Sequence, residues 1–294
     1  MSAGYPTTFL RVPPNVPEIF DPALQHFRRA FRQGEPVFDD EAIAAQWRQD
    51  RRVAMEAVLA VLADRAPNRV VLRGSVLNQV WLPKTAREPH DIDLIVMPPT
   101  LGPEEAEAEA LMNTLRAGLC GQAAGDRVRF SPLPPPIDAI WTYVRAEGRR
   151  LVFPWSAVDG PPGVVQVDLV FREALPVPPR PVEIPRRSGP PIRLLGVTPE
   201  LALAWKILWL TWDQHGQGKD LVDAVLLAEH CRPDLALINH LLNDGEETAD
   251  DIERLAKKWI VEWEHYEAEY GAGVGPMEGW IARLVAAWDR PQTP

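Results

Sequence analysis

Residues 69–97 read RVVLRGSVLNQVWLPKTAREPHDIDLIVM, and this stretch decides the fold. Its first part, Arg69 to Leu72, is typical of a short strand. The Gly74-Ser75 pair then predicts a turn into a helical stretch, Val76 to Leu82, which a proline ends. The apolar run from Leu94 to Met97 predicts a second strand, which opens on two aspartates. Strand, Gly-Ser turn, short helix and Asp-x-Asp strand in this order are far rarer than either motif alone.

Asp91 and Asp93 flank Ile92 at the start of the second strand. Side chains at i and i+2 of an extended strand point to the same face, so both carboxylates are expected to converge while Ile92 packs behind them. Paired carboxylates supply the hard oxygen ligands that magnesium needs when it neutralises phosphate charge. The alternative is that Gly-Ser is only a turn and Asp-x-Asp only a solvated strand edge.

Gly74 and Ser75 are candidates for binding a triphosphate. Glycine lets the backbone approach a ligand closely, and the serine hydroxyl can bond a terminal phosphate oxygen. Backbone donors at the start of the helix that follows would face the same phosphates. Neither residue is specific alone.

A third carboxylate lies in the apolar stretch from Val164 to Phe171, which Asp168 interrupts, with Gln166 two residues before it. An unpaired charge in a buried strand is costly, so Asp168 is expected either in a structural ion pair or in a metal site. A two-metal site needs a third acid that ligates the second metal and helps to activate an incoming hydroxyl. Asp91, Asp93 and Asp168 together favour phosphoryl transfer.

Gly74-Ser75, Asp91-Ile92-Asp93 and Asp168 resemble the palm signature of the DNA polymerase beta-like nucleotidyltransferase superfamily. The C-terminal half narrows this resemblance. The segment from Leu201 to Trp212 is apolar nearly all round but contains Lys206, and Gly218-Lys219-Asp220-Leu221-Val222-Asp223 follows it. A lysine in a buried helix before a basic-Asp-x-x-Asp helix start resembles the AbiEii/AbiGii toxin family of nucleotidyltransferases. That family belongs to toxin-antitoxin and phage-abortive systems.

The resemblance spans about residues 69 to 231 and implies roles for further residues. Arg87, Lys206 and Lys219 are expected to contact the nucleotide, with Lys206 counted among the catalytic residues. Asp220 and Asp223 are assigned to the same nucleotide-binding group.

Other roles stay open for these residues. Lys206 can instead extend its charge out of an apolar face. Lys219 and Asp223 are spaced i,i+4 and can simply stabilise their helix, while Asp220 and Asp223 can orient Lys206.

One departure from the family concerns an arginine that usually lies about two helical turns after the helix lysine. Here that neighbourhood contains Asp213, Gln214 and His215. Either another residue takes over the arginine's role or the substrate contacts differ.

The composition limits the function. The net charge of -10 argues against a surface dominated by nucleic-acid binding, although arginine clusters leave room for a local docking track. Two cysteines and six histidines without metal-ligand spacing favour magnesium over zinc. We expect no stretch long enough to span a membrane and no basic start followed by an apolar core, which predicts a soluble, cytoplasmic protein.

The chain is predicted to have an α+β fold: a polymerase beta-like palm, with a mixed sheet flanked by helices, and a helical C-terminal domain. The palm with an irregular N-terminal extension is assigned to residues 1–175, a proline-rich linker to 176–195 and the helical domain to 196–294. Within them we predict helices from Asp40 to Asp64 and from Pro103 to Leu119, an antiparallel hairpin from Leu151 to Trp155 and Val164 to Phe171, and a helix capped by Thr198.

The predicted activity is transfer of a nucleoside monophosphate from a nucleoside triphosphate to a hydroxyl acceptor, with two magnesium or manganese ions on Asp91, Asp93 and Asp168. The resemblance implies an RNA acceptor, the 3′ end of tRNA, and a toxin with a cognate antitoxin. We expect neither membrane nor DNA as a partner. The alternatives are a protein or aminoglycoside-like acceptor, which an acidic chain suits, and a catalytically silent nucleotide-binding module.

Overall fold

The computed structural model describes residues 7–9, 16–24, 26–28, 30–142, 146–213, 216–242 and 247–290. The chain divides into two compact units. The first comprises Met1–Val80, Glu88–Leu175 and Pro179–Gly196; the second comprises Trp81–Arg87, Pro176–Pro178 and Val197–Pro294.

The first unit is built on a nine-stranded mixed sheet in the order β10-β11-β3-β4-β9-β8-β6-β5, with β7 pairing alongside β8. Its strands are β3 (Val70–Arg73), β4 (Asp91–Val96), β5 (Ala123–Ala124), β6 (Val128–Phe130), β7 (Ile137–Thr142), β8 (Ala146–Ala157), β9 (Gly160–Val170), β10 (Arg180–Ile184) and β11 (Ile192–Gly196). Two short strands, β1 (Glu18–Phe20) and β2 (Phe31–Gln33), form a separate antiparallel pair.

Residues 69–97 form the centre of the sheet, with the short helix Ser75–Trp81 between its strands β3 and β4. Strands β3 and β4 are antiparallel, β4 and β9 are parallel, and β8 and β9 form the predicted antiparallel hairpin. Ile92, Leu94 and Val96 are buried on the face of β4 opposite Asp91 and Asp93, and Ile95 is buried on the same face as those acids, because β4 is a central strand. The predicted strand–turn–helix–strand order is confirmed.

Helices α1 (Glu41–Arg65), α2 (Ser75–Trp81) and α3 (Ala106–Leu119) accompany the sheet. The Asp40 side chain accepts a hydrogen bond from the Ala42 backbone N–H and so caps α1. Trp47, Val58 and Leu62 are among the α1 residues that the first unit buries. Helix α1 packs on β9, β11 and α3, which fixes its position against the sheet.

The segment from 176 to 195 differs from the linker without elements that its prolines predicted. It contains β10 and nearly all of β11, which pair antiparallel with each other, and β11 joins β3 in parallel. Proline is tolerated in an edge strand, and Pro181 lies in β10 at the edge of the sheet. The prolines therefore mark an edge and its turns.

The second unit is mainly helical. It contains α4 (Pro199–Trp212), α5 (Gly218–His230), α6 (Leu235–Leu241), α7 (Ile252–Ala256), α8 (Trp263–Tyr270) and α9 (Met277–Trp288), with the short strands β12 (Gly216–Gln217) and β13 (Val261–Glu262). Short 3-10 turns lie at Thr7–Phe9 and Pro22–Leu24 in the first unit and at Ala272–Val274 in the second.

Helix α4 lies at the centre of the second unit. Thr198 accepts a hydrogen bond from the Leu201 backbone N–H and Pro199 begins the helix, as predicted. Ten successive residues from Leu201 to Leu210 are buried, since α5 and α6 pack against it. A helix apolar on all sides is expected to be enclosed in this way.

The predicted α+β fold, with a mixed central sheet flanked by helices and a helical C-terminal region, is confirmed. In the described part of the chain, every helix is either too short or too polar to cross a membrane.

Candidate functional site

The turn between β3 and α2 packs directly against the second aspartate of β4. Gly74 has φ +77, a conformation that other residues rarely adopt, and a Cβ placed there would lie 2.3 Å from Asp93 Oδ2. Only glycine leaves room for that carboxylate. The sequence predicted a close approach of the Gly74 backbone to phosphate, and the structure shows a close approach to Asp93.

Asp91 and Asp93 lie on the same face of β4, and both are half-buried. The buried Ser75 hydroxyl lies 3.5 Å from Asp91 Oδ1, at the outer limit of a hydrogen bond. The Gly-Ser turn thus contacts both acids through two successive residues. The structure brings together Gly74, Ser75, Asp91 and Asp93.

Asp168 lies beside Asp93 on the neighbouring strand, because β4 and β9 pair in parallel with Asp93 opposite Asp168 and Asp91 opposite Gln166. Asp168 is only 6% exposed. Arg150 Nε and Nη2 donate to its two oxygens at 2.8 and 2.7 Å, and Gln166 Nε2 donates to Oδ2 at 3.2 Å. The third acid is therefore in a bidentate ion pair.

The same arginine has a second acidic partner. Arg150 Nη1 donates to Asp21 Oδ2 at 2.7 Å, and both side chains are buried. Burial disfavours the charge of Arg150, but Asp168 and Asp21 raise its pKa, so it stays protonated. Burial raises the pKa of the Asp168 carboxyl, and the charge of Arg150 opposes that rise.

The donor set fits magnesium at Asp91 and Asp93, which offer hard carboxylate oxygens on one half-exposed face. Asp168 fits less well, because Arg150 and Gln166 occupy about three of the four acceptor positions of a carboxylate. Among the residues that the structure describes, no three acidic, histidine or cysteine side chains are grouped closely enough to hold a metal ion.

Arg150, Asp21 and Gln166 belong to this group of contacts but were not among the predicted site residues. Arg150 carried no signal in the sequence, since only the β8–β9 register of the structure places it opposite Asp168. Asp21 carried none, because it lies in an N-terminal segment without periodicity. The ion pair was one of the two predicted outcomes for Asp168.

The remaining predicted residues lie in the second unit, around Lys206. Its side chain is 6% exposed, and Nζ donates to Asp220 Oδ1 at 2.6 Å and lies 3.0 Å from Asp223 Oδ2. Arg87 Nη2 lies 3.5 Å from Asp223 Oδ2, and Nη1 lies 3.5 Å from the Tyr270 hydroxyl. Lys206 does not extend to solvent; Asp220 and Asp223 orient it.

Charge balance holds this group together. Burial disfavours the charge of Lys206, but Asp220 and Asp223 raise its pKa. Burial likewise opposes ionisation of Asp223, while Lys206 and Arg87 lower its pKa, with a smaller contribution from the half-buried Lys219. Lys206 and Asp223 thus stay charged although both are buried. Gln214 and His215, where the family's arginine was sought, lie outside the described residues.

Comparison with known proteins identifies the family. The model of the nucleotidyl transferase AbiEii toxin, type IV toxin-antitoxin system, matches residues 58–278, which include every predicted site residue. A search of curated proteins found no match. The chain belongs to the AbiEii nucleotidyl transferase toxin family of type IV toxin-antitoxin systems, and it is a nucleotidyltransferase.

Proposed function

We propose that the protein transfers a nucleoside monophosphate from a magnesium-bound nucleoside triphosphate to a hydroxyl group of RNA, at the 3′ end of tRNA, and that this modification makes it a toxin in phage defence. The observation that carries the proposal is the contact between the Gly-Ser turn and the Asp-x-Asp strand. Gly74 leaves space for Asp93 alone, and Ser75 contacts Asp91.

The reaction needs two kinds of group on one surface. Asp91 and Asp93 would hold the metal, which supplies charge neutralisation for the phosphates. The backbone N–H groups at the start of α2, with the Ser75 hydroxyl, would bind the triphosphate oxygens. Both groups lie in the first unit. The two acids are on β4, and the Gly-Ser turn directly follows β3, which pairs antiparallel with β4.

The transfer balances without a further reactant. The acceptor hydroxyl oxygen forms a bond to the α-phosphorus, and the bond from that phosphorus to the oxygen bridging to the β-phosphate breaks. Pyrophosphate leaves with the electron pair. The hydroxyl proton passes to a carboxylate or to water.

Asp168 is our proposed proton acceptor and metal ligand. The hydrogen bonds from Arg150 limit how many of its oxygen acceptor positions can bind a metal or a proton. The bonds from Arg150 and Gln166 leave about one acceptor position on Asp168. Lys206, Lys219, Asp220, Asp223 and Arg87 keep their proposed role in nucleotide binding, which the family resemblance supports. The buried ion pairs of Lys206 support a fixed position for its charge.

One observation favours a different acceptor. The net charge of -10 suits a cationic small molecule or a basic protein surface better than an RNA. The second candidate is therefore nucleotidylation of a protein hydroxyl or of an aminoglycoside-like molecule, by the same chemistry at the same acids.

The test is incubation of the purified protein with each α-labelled nucleoside triphosphate, magnesium, and in separate reactions total RNA, cell protein or an aminoglycoside. We expect label in RNA, concentrated in the tRNA fraction, and none with Asp91→Asn. Label in protein or in the aminoglycoside would establish the second candidate. Absence of label from all three, with a folded protein, would overturn both.

A further inference from the structure

Arg51 on α1 is a buried arginine with one edge unused. It is 3% exposed, its Nη1 donates to Glu35, and its guanidinium carbon lies 5.2 Å from the centre of the Trp47 ring. Its Nε and Nη2 atoms have no hydrogen-bond partner among the described residues. A charged donor that is buried without an acceptor loses its hydration without compensation, so such an edge is rarely left empty.

The same edge binds a carboxylate elsewhere in this chain. Four arginines use Nε and Nη2 together to hold both oxygens of one acid: Arg52 with Glu88, Arg127 with Asp50, Arg150 with Asp168, and Arg283 with Glu229. Arg150 is the nearest parallel, because an acid of the N-terminal segment also holds its Nη1. In Arg51 the edge that would complete this arrangement is shaped for an anion with two oxygens.

Arg51 lines a pocket that reaches the candidate site. The pocket is small, with about 40 Å³ available to the centre of a water molecule, and Asp91 is part of its wall. Arg32 and His90 add basic groups, and His90 Nε2 lies 3.1 Å from Glu35 Oε1. Glu35 thus holds Arg51 and His90 at once, and both of these residues line the same pocket as Asp91.

The position of the pocket relative to β4 indicates which reactant it serves. Val164 and Gln166 of β9 line it, whereas Gly74 and Ser75 do not appear among its described lining residues. In the sheet, β3 lies on one side of β4 and β9 on the other. If the triphosphate binds at the Gly-Ser turn, the pocket lies on the opposite side of Asp91, where the acceptor has to approach.

We propose that Arg51, held by Glu35, binds a backbone phosphate of the acceptor RNA strand next to the hydroxyl that receives the nucleotide. The assignment rests on the proposed function of Asp91 and Asp93. It adds a site outside the family match, which begins at residue 58. A phosphodiester offers two unesterified oxygens, which the free edge of Arg51 can bind together.

The test is calorimetric binding of four probes: a ribodinucleotide, the nucleoside that lacks its phosphate, a non-hydrolysable triphosphate with magnesium, and a short carboxylate peptide. The variants are Arg51→Lys, which keeps the charge but loses the fork, and Arg52→Lys as matched control, because Arg52 is the next residue and its fork already holds Glu88. We expect Arg51→Lys to weaken dinucleotide binding about tenfold and Arg52→Lys to leave it unchanged. Nucleoside and triphosphate affinities should stay the same in both variants.

Three results would overturn the proposal. Unchanged dinucleotide binding in a folded Arg51→Lys protein would leave Arg51 a structural residue, with its edge served by buried water. Weaker triphosphate binding would move the site to the other reactant. Arg51-dependent binding of a carboxylate peptide but not of the dinucleotide would assign the pocket to a protein acceptor.

The failure of this proposal differs from failure of the proposed function. Binding of the dinucleotide needs no turnover, so Arg51-dependent binding in a protein that labels no acceptor would contradict the proposed function and leave the phosphate site standing. Label transfer to RNA at unchanged KM in Arg51→Lys would contradict only the phosphate site.

Discussion

The two units of the protein treat their acids differently. In the first unit, Asp91 and Asp93 are half-buried on one face of β4. Because water reaches part of each side chain, we call them the open acids. In the second unit, Asp220 and Asp223 are each 1% exposed and pair with Lys206, and we call them the enclosed acids. Acids that must exchange ligands need access, whereas a buried acid needs a paired cation to offset the loss of its hydration. The comparison therefore separates residues that perform chemistry from residues that position a charge.

The largest expected effect is on activity and comes from the open acids. Asp93→Asn removes a proposed metal ligand worth several kcal/mol to the transition state, so the transfer rate should fall about 1,000-fold. Because Asp93 is half-buried, the free energy of unfolding should change by less than about 1 kcal/mol. Initial rates of pyrophosphate release and urea unfolding measure the two quantities. A loss of activity that only follows a loss of stability would remove the distinction.

For the enclosed acids, substitution should have its main effect on the free energy of unfolding. Asp220→Asn leaves Lys206 without its closest partner, and breaking a buried pair costs about 3–5 kcal/mol of unfolding free energy. The exposed pair of Lys257 with Glu253 is the control, since Lys257→Ala should leave the free energy of unfolding nearly unchanged. Urea unfolding compares both. Equal stabilities for Asp220→Asn and wild type would show that the cluster is not structural.

The contact between the turn and the strand can be tested by a single methyl group. Gly74→Ala places a Cβ 2.3 Å from Asp93 Oδ2 and should lower the transfer rate about 100-fold by displacing that carboxylate. Gly189→Ala is matched to it, with φ +86 but nothing within 4 Å of the new Cβ. Both should lose about 1 kcal/mol of stability from backbone strain, and only Gly74→Ala should lose activity.

Glu35 is intermediate between the open and the enclosed acids, and its effect is the smallest. Burial opposes its ionisation, but the hydrogen bond from His90 and the charge of Arg51 lower its pKa from 4.5 to about 2. A lowered pKa stabilises the fold above pH 4.5, and that contribution is lost as the pH falls towards 2. With one third of the side chain exposed, about 1 kcal/mol is expected. Unfolding of Glu35→Gln should lack this part of the pH dependence.

Local patterns predicted the elements of the open site well. The strand, the Gly-Ser turn and the Asp-x-Asp strand each follow from a few adjacent residues, as does the Thr198 cap of α4. The charge partners did not follow, because they depend on register and on distant segments. Arg150 reaches Asp168 across a hairpin, and Glu35 reaches Arg51 from a segment without periodicity.

The resemblance to a family predicted more site residues than the local patterns did. The structure then showed the surroundings of one of them, Lys206. Lys206 was weighed between solvent and a substrate contact, and the structure shows it paired with Asp220 and Asp223. Strands β10 and β11 were not predicted from the sequence, because proline normally indicates a break in regular structure. An edge strand tolerates it, and only the assembled sheet reveals which strand is at the edge.

The central claim is that the open acids, not the enclosed ones, bind the catalytic metal. Electron paramagnetic resonance of manganese, measured without nucleotide because Asp220 has a proposed role in nucleotide binding, tests it most directly. Wild type and Asp220→Asn should bind manganese alike at a temperature where both are folded, and Asp93→Asn should bind it at least tenfold more weakly. Undiminished manganese binding by Asp93→Asn, or its loss in a folded Asp220→Asn protein alone, would contradict the account.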